Sequence, residues 1–404
     1  MKNIITIIWM VLVSVCAFGQ IEVLKLRHHI KTLAADSLNG RGTGSEGEKM
    51  ASAYIIKEFK KIKLQPKGDA QGYLQAFPFK GGMHGTGTEG VGHNIVGFID
   101  NGAAQTVIIG AHYDHLGLGE NGGSLDANPH GKIHNGADDN ASGTAGIIEL
   151  ARYFQKNKKK EKYNFLFISF SGEELGLFGS KYFTDHPTID LSQVNYMINL
   201  DMVGRLDAAT HGLAISGTGT SKEWETELKK LAGDIKIKTD SAGIGPSDHT
   251  SFYLKNIPVL HFFTGAHSDY HKPSDDWQKI NYEGEKQVLE LIIKLVEDLD
   301  AAPRLSFLTT KNKSLSSSRS FKVTMGVMPS YTSSGEGLTV DGVTDGKPAQ
   351  LAGIKAGDVI VQMGDIHIKD IQAYMEALGK FQKGQTVPVK VKRQGEEISL
   401  SVTF

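Results

Sequence analysis

Between residues 94 and 299 short apolar runs alternate with amphipathic segments, and this alternation constrains the fold more than any other feature of the chain. Residues 94–99, 106–111, 164–169, 196–200 and 258–263 read as strands; 143–154, a segment opening at Gly179, 222–231 and 283–299 read as helices. Such alternation predicts an α/β domain with a mainly parallel central sheet and helices on both faces. Ligands in such sheets gather beyond the carboxyl ends of the strands. The turn Asp100-Asn101-Gly102 between the first two runs predicts a hairpin. Ahead of the sheet, 30–64 has helical periodicity broken at Asn39-Gly40-Arg41-Gly42, with Ser45 and Glu48 spaced as a capping box for a helix through Phe59.

The chain has 404 residues, more than one ordinary core accommodates, so two domains are expected. A formal net charge of -1 gives no electrostatic reason to expect nucleic acid or an anionic membrane as partner. Lys2, the apolar run 4–18 and the small-residue pattern Ala17-Phe18-Gly19 predict a secretory signal over 1–19 and an exported protein. The rival reading is a membrane anchor, but the run is shorter than the roughly 20 residues that cross a bilayer. Cys16, the one cysteine, follows Val13-Ser14-Val15, which disfavours lipid attachment there. Once the signal is removed, no thiol remains for disulfides, nucleophiles or metal sites, so any metal must use His, Asp and Glu.

Five segments at predicted strand ends carry such residues. In Gly110-Ala111-His112-Tyr113-Asp114-His115 an imidazole and a carboxylate two positions on share one side of a strand, and Asp114 is placed to receive the second N–H of a metal-bound His112. Asn135-Gly136-Ala137-Asp138-Asp139-Asn140-Ala141-Ser142-Gly143 is an acidic turn ahead of a helix; capping explains one of its carboxylates, not the crowd of them. Phe170-Ser171-Gly172-Glu173-Glu174-Leu175-Gly176 offers two adjacent carboxylates. Asp201 in Asn199-Leu200-Asp201-Met202 ends an apolar strand, where an unpaired charge is costly to bury. Ser268-Asp269-Tyr270-His271-Lys272-Pro273-Ser274-Asp275 adds a second histidine.

In order, identity and approximate spacing these segments resemble those of the M28 family of zinc peptidases over nearly all of residues 25–300. The resemblance implies two Zn²⁺ ions, with Co²⁺ or Mn²⁺ as acceptable substitutes for such ligands. It implies that Asp139 bridges them, that His112 and Asp201 complete one site, and that Glu174 and His271 complete the other. It further implies Glu173 as general base, Asp114 as the group that orients His112, Tyr270 as an aid to transition-state stabilisation, and Asp248, in Pro246-Ser247-Asp248-His249, behind the ligands. An aminopeptidase is the activity implied; carboxypeptidase, dipeptidase and one-zinc glutaminyl cyclase activities are the enzymatic alternatives, and a non-catalytic peptide-binding scaffold would show gaps among the ligands.

After a linker-like stretch at 302–320, residues 321–404 change to short strands and glycine turns. The register of Gly346-Lys347-Pro348-Ala349 with Ala352-Gly353 and Gly357-Asp358-Val359-Ile360 resembles a PDZ domain, and 387–393 and 398–404 alternate across Gln394-Gly395 as a hairpin. The resemblance implies that the backbone of Met325, Gly326 and Val327 could hold a peptide carboxylate beside an added strand. The catalytic domain is accordingly expected over 20–301.

Overall fold

The computed structural model describes residues 20–80, 89–120, 123–157, 159–310, 323–329, 337–343, 346–355, 357–369 and 371–404. The signal segment with Cys16, and residues 311–320 of the expected linker, lie outside the described residues.

Helices α1 (Val23–Leu33) and α2 (Glu46–Ile62) precede strands β1 (Gln65–Pro66), β2 (Leu74–Lys80) and β3 (Glu89–Ile99). Then follow β4 (Gln105–His112), α3 (Gly143–Lys156), β5 (Tyr163–Phe170), α4 (Phe178–Asp185), β6 (Val194–Leu200) and β7 (Gly212–Ser216). The domain continues with α5 (Trp224–Leu231), β8 (Lys236–Asp240), α6 (His249–Tyr253), β9 (Val259–Phe263) and α7 (Tyr282–Leu299). The strands form one sheet in the order β1-β3-β5-β4-β6-β9-β7-β8, with β2 also on β3. Its centre, β5-β4-β6-β9, is parallel, while β3 joins β5, and β7 joins β9, in antiparallel fashion.

The hairpin expected between β3 and β4 does not form. Strand β5 lies between them, bonded to both. The turn is present but is tied to β5 instead: the Asn164 side-chain oxygen accepts the Asn101 N–H and the Asn101 amide donates to Tyr163 O. Local turn chemistry thus set a bend, and pairing across the α3 crossover decided the neighbour.

From Thr106 to His112 β4 is buried throughout, as a strand covered on both sides requires, and its side chains alternate between two cores. Val107, Ile109 and Ala111 join a core containing residues of α1, α2, α3, α5 and α7, whereas Ile108 joins Phe183 of α4 and Phe252 of α6 on the opposite face. Residues 304–310, linker-like in composition, lie along the α/β domain: Leu305 is buried in its core, Arg304 donates to Val194 O, and Thr310 bonds the Tyr253 hydroxyl.

The C-terminal part is a separate β-rich unit with its own core, built around Met325, Val340, Ile360, Val389 and Val402. It comprises β10 (Val327–Pro329), β11 (Leu338–Val343), α8 (Pro348–Leu351), β12 (Val359–Met363), β13 (Ile366–His367), α9 (Ile371–Leu378), β14 (Thr386–Arg393) and β15 (Glu396–Thr403). Strands β14 and β15 pair across Gln394 and Gly395, both at positive φ, as a tight hairpin demands. In the loop before β10, the Met325 side chain enters the core and its carbonyl accepts the Ala349 N–H, with Gly326 at φ 74°.

Candidate metal centre

Strand ends deliver most of the site. β4 and β6 are in register with Gly110 beside Asn199, so His112, the last residue of β4, and Asp201, just past β6, emerge side by side. β5 ends at Phe170, and the turn after it carries Glu173 and Glu174. Asp139 sits in the turn Ala137–Ser142 that opens α3, entered through Gly136 at φ 53°, where an added Cβ would meet the His115 ring. His271 comes from the loop after β9.

These side chains converge on Asp139. Its Oδ1 lies 3.4 Å from His112 Nε2, which is 3.4 Å from Asp201 Oδ1. Its Oδ2 lies 3.1 Å from His271 Nε2, which is 3.2 Å from Glu174 Oε2. Two ligand atoms each about 2 Å from one tetrahedral ion stand roughly 3.3 Å apart, so these separations are those of ligand pairs around two positions. Two overlapping groups also satisfy a metal-binding geometry, His112 with Glu173 and Asp201, and His115 with Asp139 and Glu174. In the second, His115 Nδ1 is only 2.6 Å from Glu174 Oε1, a hydrogen bond rather than the gap between two ligands of one ion. His115 therefore holds Glu174 through a hydrogen bond.

The field around the two glutamates differs. Burial pushes the Glu173 carboxyl well above the usual range, and Glu174, Asp201 and Asp248 add to this against the pull of His112. Burial acts the same way on Glu174, but His271 and His115 outweigh it and hold that carboxylate at about 2. Burial would lower His112 and His271 as well, yet the surrounding carboxylates raise both well above an ordinary imidazole. Where acids crowd so closely, protonated imidazoles occupy the electrostatic role that cations would fill, and the donor set of carboxylates and imidazoles suits zinc.

The remaining predicted residues lie around this centre. Asp114 approaches His112 Nδ1 with its carboxylate at 3.7 Å and its backbone oxygen at 3.2 Å, and its carboxylate also accepts from Thr43 and from the Glu173 N–H. The Tyr270 ring stacks on His271 with centroids 3.8 Å apart. Asp248, at the start of α6, is fully buried, and burial raises its carboxyl to about 7. A cavity of about 150 Å³ opens from His112, Asp139, Glu173, Asp201 and His271 toward Met202, Ala214, Ser216, Pro246, His261 and Phe263.

Several supporting residues escape sequence reasoning. Ser247 donates to Asp201 Oδ2. Asp275 accepts both the Asp138 and Asp139 N–H groups. The carbonyl of Gly123 receives His271 Nδ1–H at 2.8 Å. Arg41, buried, donates to the carbonyls of Leu33, Tyr113, Asn135 and Gly136, joining α1, the end of β4 and the Asp139 turn. His115, Ser247 and Asp275 all lie within the segments that carry His112, Asp248 and His271, and that proximity is the clue the sequence offers to them.

The model of peptidase family M28 matches residues 94–296. The chain belongs to that family. A PDZ domain model matches residues 316–404, so this M28 peptidase carries a C-terminal PDZ domain. It is 32% identical over 173 residues to aminopeptidase YwaD of Bacillus subtilis, a match spanning 40% of this chain and 37% of that protein. The chain spans between 36% and 50% of the length of the first curated relatives it matches. Among solved structures, the fold resembles the LapA aminopeptidase of Legionella pneumophila, with a TM-score of 0.53 at 21% identity over 70% of this chain and 72% of that one. It equally resembles a glutaminyl cyclase of Porphyromonas gingivalis, with a TM-score of 0.55 at 17% identity over 69% of this chain and 99% of that one.

Proposed function

We propose that this M28 peptidase is an exported two-zinc aminopeptidase, with Asp139 bridging the ions, His112 and Asp201 completing one site, and Glu174 and His271 the other. The observation that carries the reading is the division of Asp139, one oxygen toward His112 and the other toward His271. Zinc ions bound there supply Lewis acidity toward a scissile carbonyl and make hydroxide available near neutrality.

The chain's own groups do the rest. Glu173, whose burial favours holding a proton, takes one from the attacking water and passes it to the leaving amine, a contribution of roughly 10²- to 10⁴-fold. Glu174, held ionised by His115 and His271, stays a ligand. Asp114 fixes both participants, through His112 and through the Glu173 N–H. Tyr270, against the His271 ring, stands at the cavity wall where it can steady the substrate carbonyl. A cavity of about 150 Å³ is small beside the 300–1,000 Å³ of whole-ligand sites, which suits one terminal side chain. The PDZ domain would present peptide segments through the loop at Met325, Gly326 and Val327.

The test is metal analysis of the protein together with paired substrates, amine free or acetylated. Two zinc ions per chain and cleavage of the free-amine series alone are expected; cleavage of acetylated substrates at equal rate would refute the aminopeptidase assignment. The likeness to glutaminyl cyclases supports a second reading, cyclisation of an N-terminal glutamine. Mass spectrometry of a Gln-initiated peptide separates the two, because hydrolysis releases glutamine and cyclisation leaves pyroglutamate on the peptide.

A further inference from the structure

The wall of the cavity holds a hydrogen-bonded relay whose direction is fixed from one end. Ser247 Oγ is 2.7 Å from Asp201 Oδ2, and a carboxylate only accepts, so the single hydroxyl hydrogen of Ser247 points to Asp201. Ser247 must then accept from Asn199 Nδ2, at 2.8 Å. The same amide nitrogen lies 3.2 Å from His261 Nδ1 and directs its second hydrogen there. With the amide turned over, its oxygen would confront a Ser247 oxygen that has no hydrogen left to give. His261 Nδ1 is therefore the acceptor, and the ring hydrogen resides on Nε2.

The strands explain why this group reaches the cavity. His261 pairs in register with Asn199 on β6 and with Ser216 on β7, so the three side chains stand in a row on one face, and Phe263 follows two residues along. The ring stacks on the buried His249 at 4.6 Å, which holds its plane. His261, Ser216 and the apolar Met202, Ala214, Pro246, Phe263 and Ala266 line the same cavity as His112 and Asp201. Away from the acidic end, His261 and Ser216 are the polar groups among Met202, Ala214, Pro246, Phe263 and Ala266. An oriented N–H in such a wall discriminates by the acceptor it meets, because an apolar guest leaves that donor unpaired.

We propose that this cavity selects an N-terminal residue whose side chain carries an uncharged acceptor, glutamine or asparagine, and that His261 Nε2–H is the group that determines the choice. A side-chain carboxylate is disfavoured because its charge would be desolvated in a cavity of about 150 Å³ whose lining holds no lysine or arginine to pair it. The inference rests on the exopeptidase reading for the word N-terminal, but the pocket is tested apart from turnover.

Calorimetric binding of L-glutamine and L-norleucine to the zinc-loaded full chain measures the preference directly, and kcat/KM for the two aminoacyl anilides measures it in catalysis. Glutamine is expected to be favoured about tenfold, the scale of one neutral hydrogen bond. His261→Phe should abolish or invert that ratio while norleucine binding persists, and His261→Gln, which restores an N–H, should recover part of it. An unchanged binding ratio in His261→Phe, or a wild type that favours norleucine, overturns the proposal. Failure to cleave either anilide removes the exopeptidase reading instead, and the binding ratio still decides on the pocket.

Discussion

Glu173 and Glu174 are neighbours in sequence with opposite surroundings: one carboxyl is raised by burial and by other acids, the other held low by His271 and His115. Glu173→Gln is therefore expected to lower kcat by about 10²- to 10⁴-fold with metal content intact, while Glu174→Ala loses metal; equal metal loss by both, measured by atomic emission, would contradict the division. Glu48 makes a separate prediction. It is buried, accepts the Gly44 N–H and contacts the hydroxyls of Ser171 and Tyr113, and burial raises its carboxyl to about 7. The Tyr113 hydroxyl, which donates to Glu48, also reaches His93 O. A raised folded pKa gives stability that is complete below the unfolded value of 4.5 and disappears as pH rises through 7. Between pH 5 and 8 the wild type should lose up to about 3 kcal/mol that Glu48→Gln does not, read from urea melts of both. The five proposed ligands were legible because each follows a strand or turn whose pattern shows in the chain. Glu48, read as half of a capping box, was not: Ser45 caps α2 as expected, but the Glu48 carboxylate turns to Gly44, Ser171 and Tyr113, partners that only the folded sheet brings near.

At the scale of elements, the site depends on how loops are fastened to one another. Arg41 lies in the break between α1 and α2 and reaches four carbonyls belonging to three elements. Burial lowers its pKa to about 10, with Asp114, Asp139 and Asp275 opposing. Arg41→Met leaves those carbonyls without their donor and should cost at least about 3 kcal/mol in chemical denaturation and weaken zinc retention; a melt unchanged within 1 kcal/mol would show the anchor to be dispensable. The interruption at 39–42 was visible in the sequence, but its purpose was not, since periodicity says where a helix stops and nothing of what the intervening side chain grips. The β3–β4 pairing failed for the same reason. Turn residues fix a local bend, and strand partners are chosen by crossovers tens of residues long.

For the whole molecule, the catalytic sheet and the PDZ domain have separate cores, and the segment 304–310 belongs to the first. Truncation after Ser320 should leave melting temperature and short-peptide cleavage unchanged, whereas truncation after Ala302 removes buried Leu305 and the Thr310–Tyr253 bonds and should lower the melting temperature by several degrees. Equal melting of the two products would mean the segment adds nothing. The most direct trial of the account is anomalous diffraction at the zinc edge from crystals of the protein. Two peaks about 3.5 to 4 Å apart, each in bonding range of a different oxygen of Asp139, are predicted; a single peak, or two that Asp139 does not join, would contradict it.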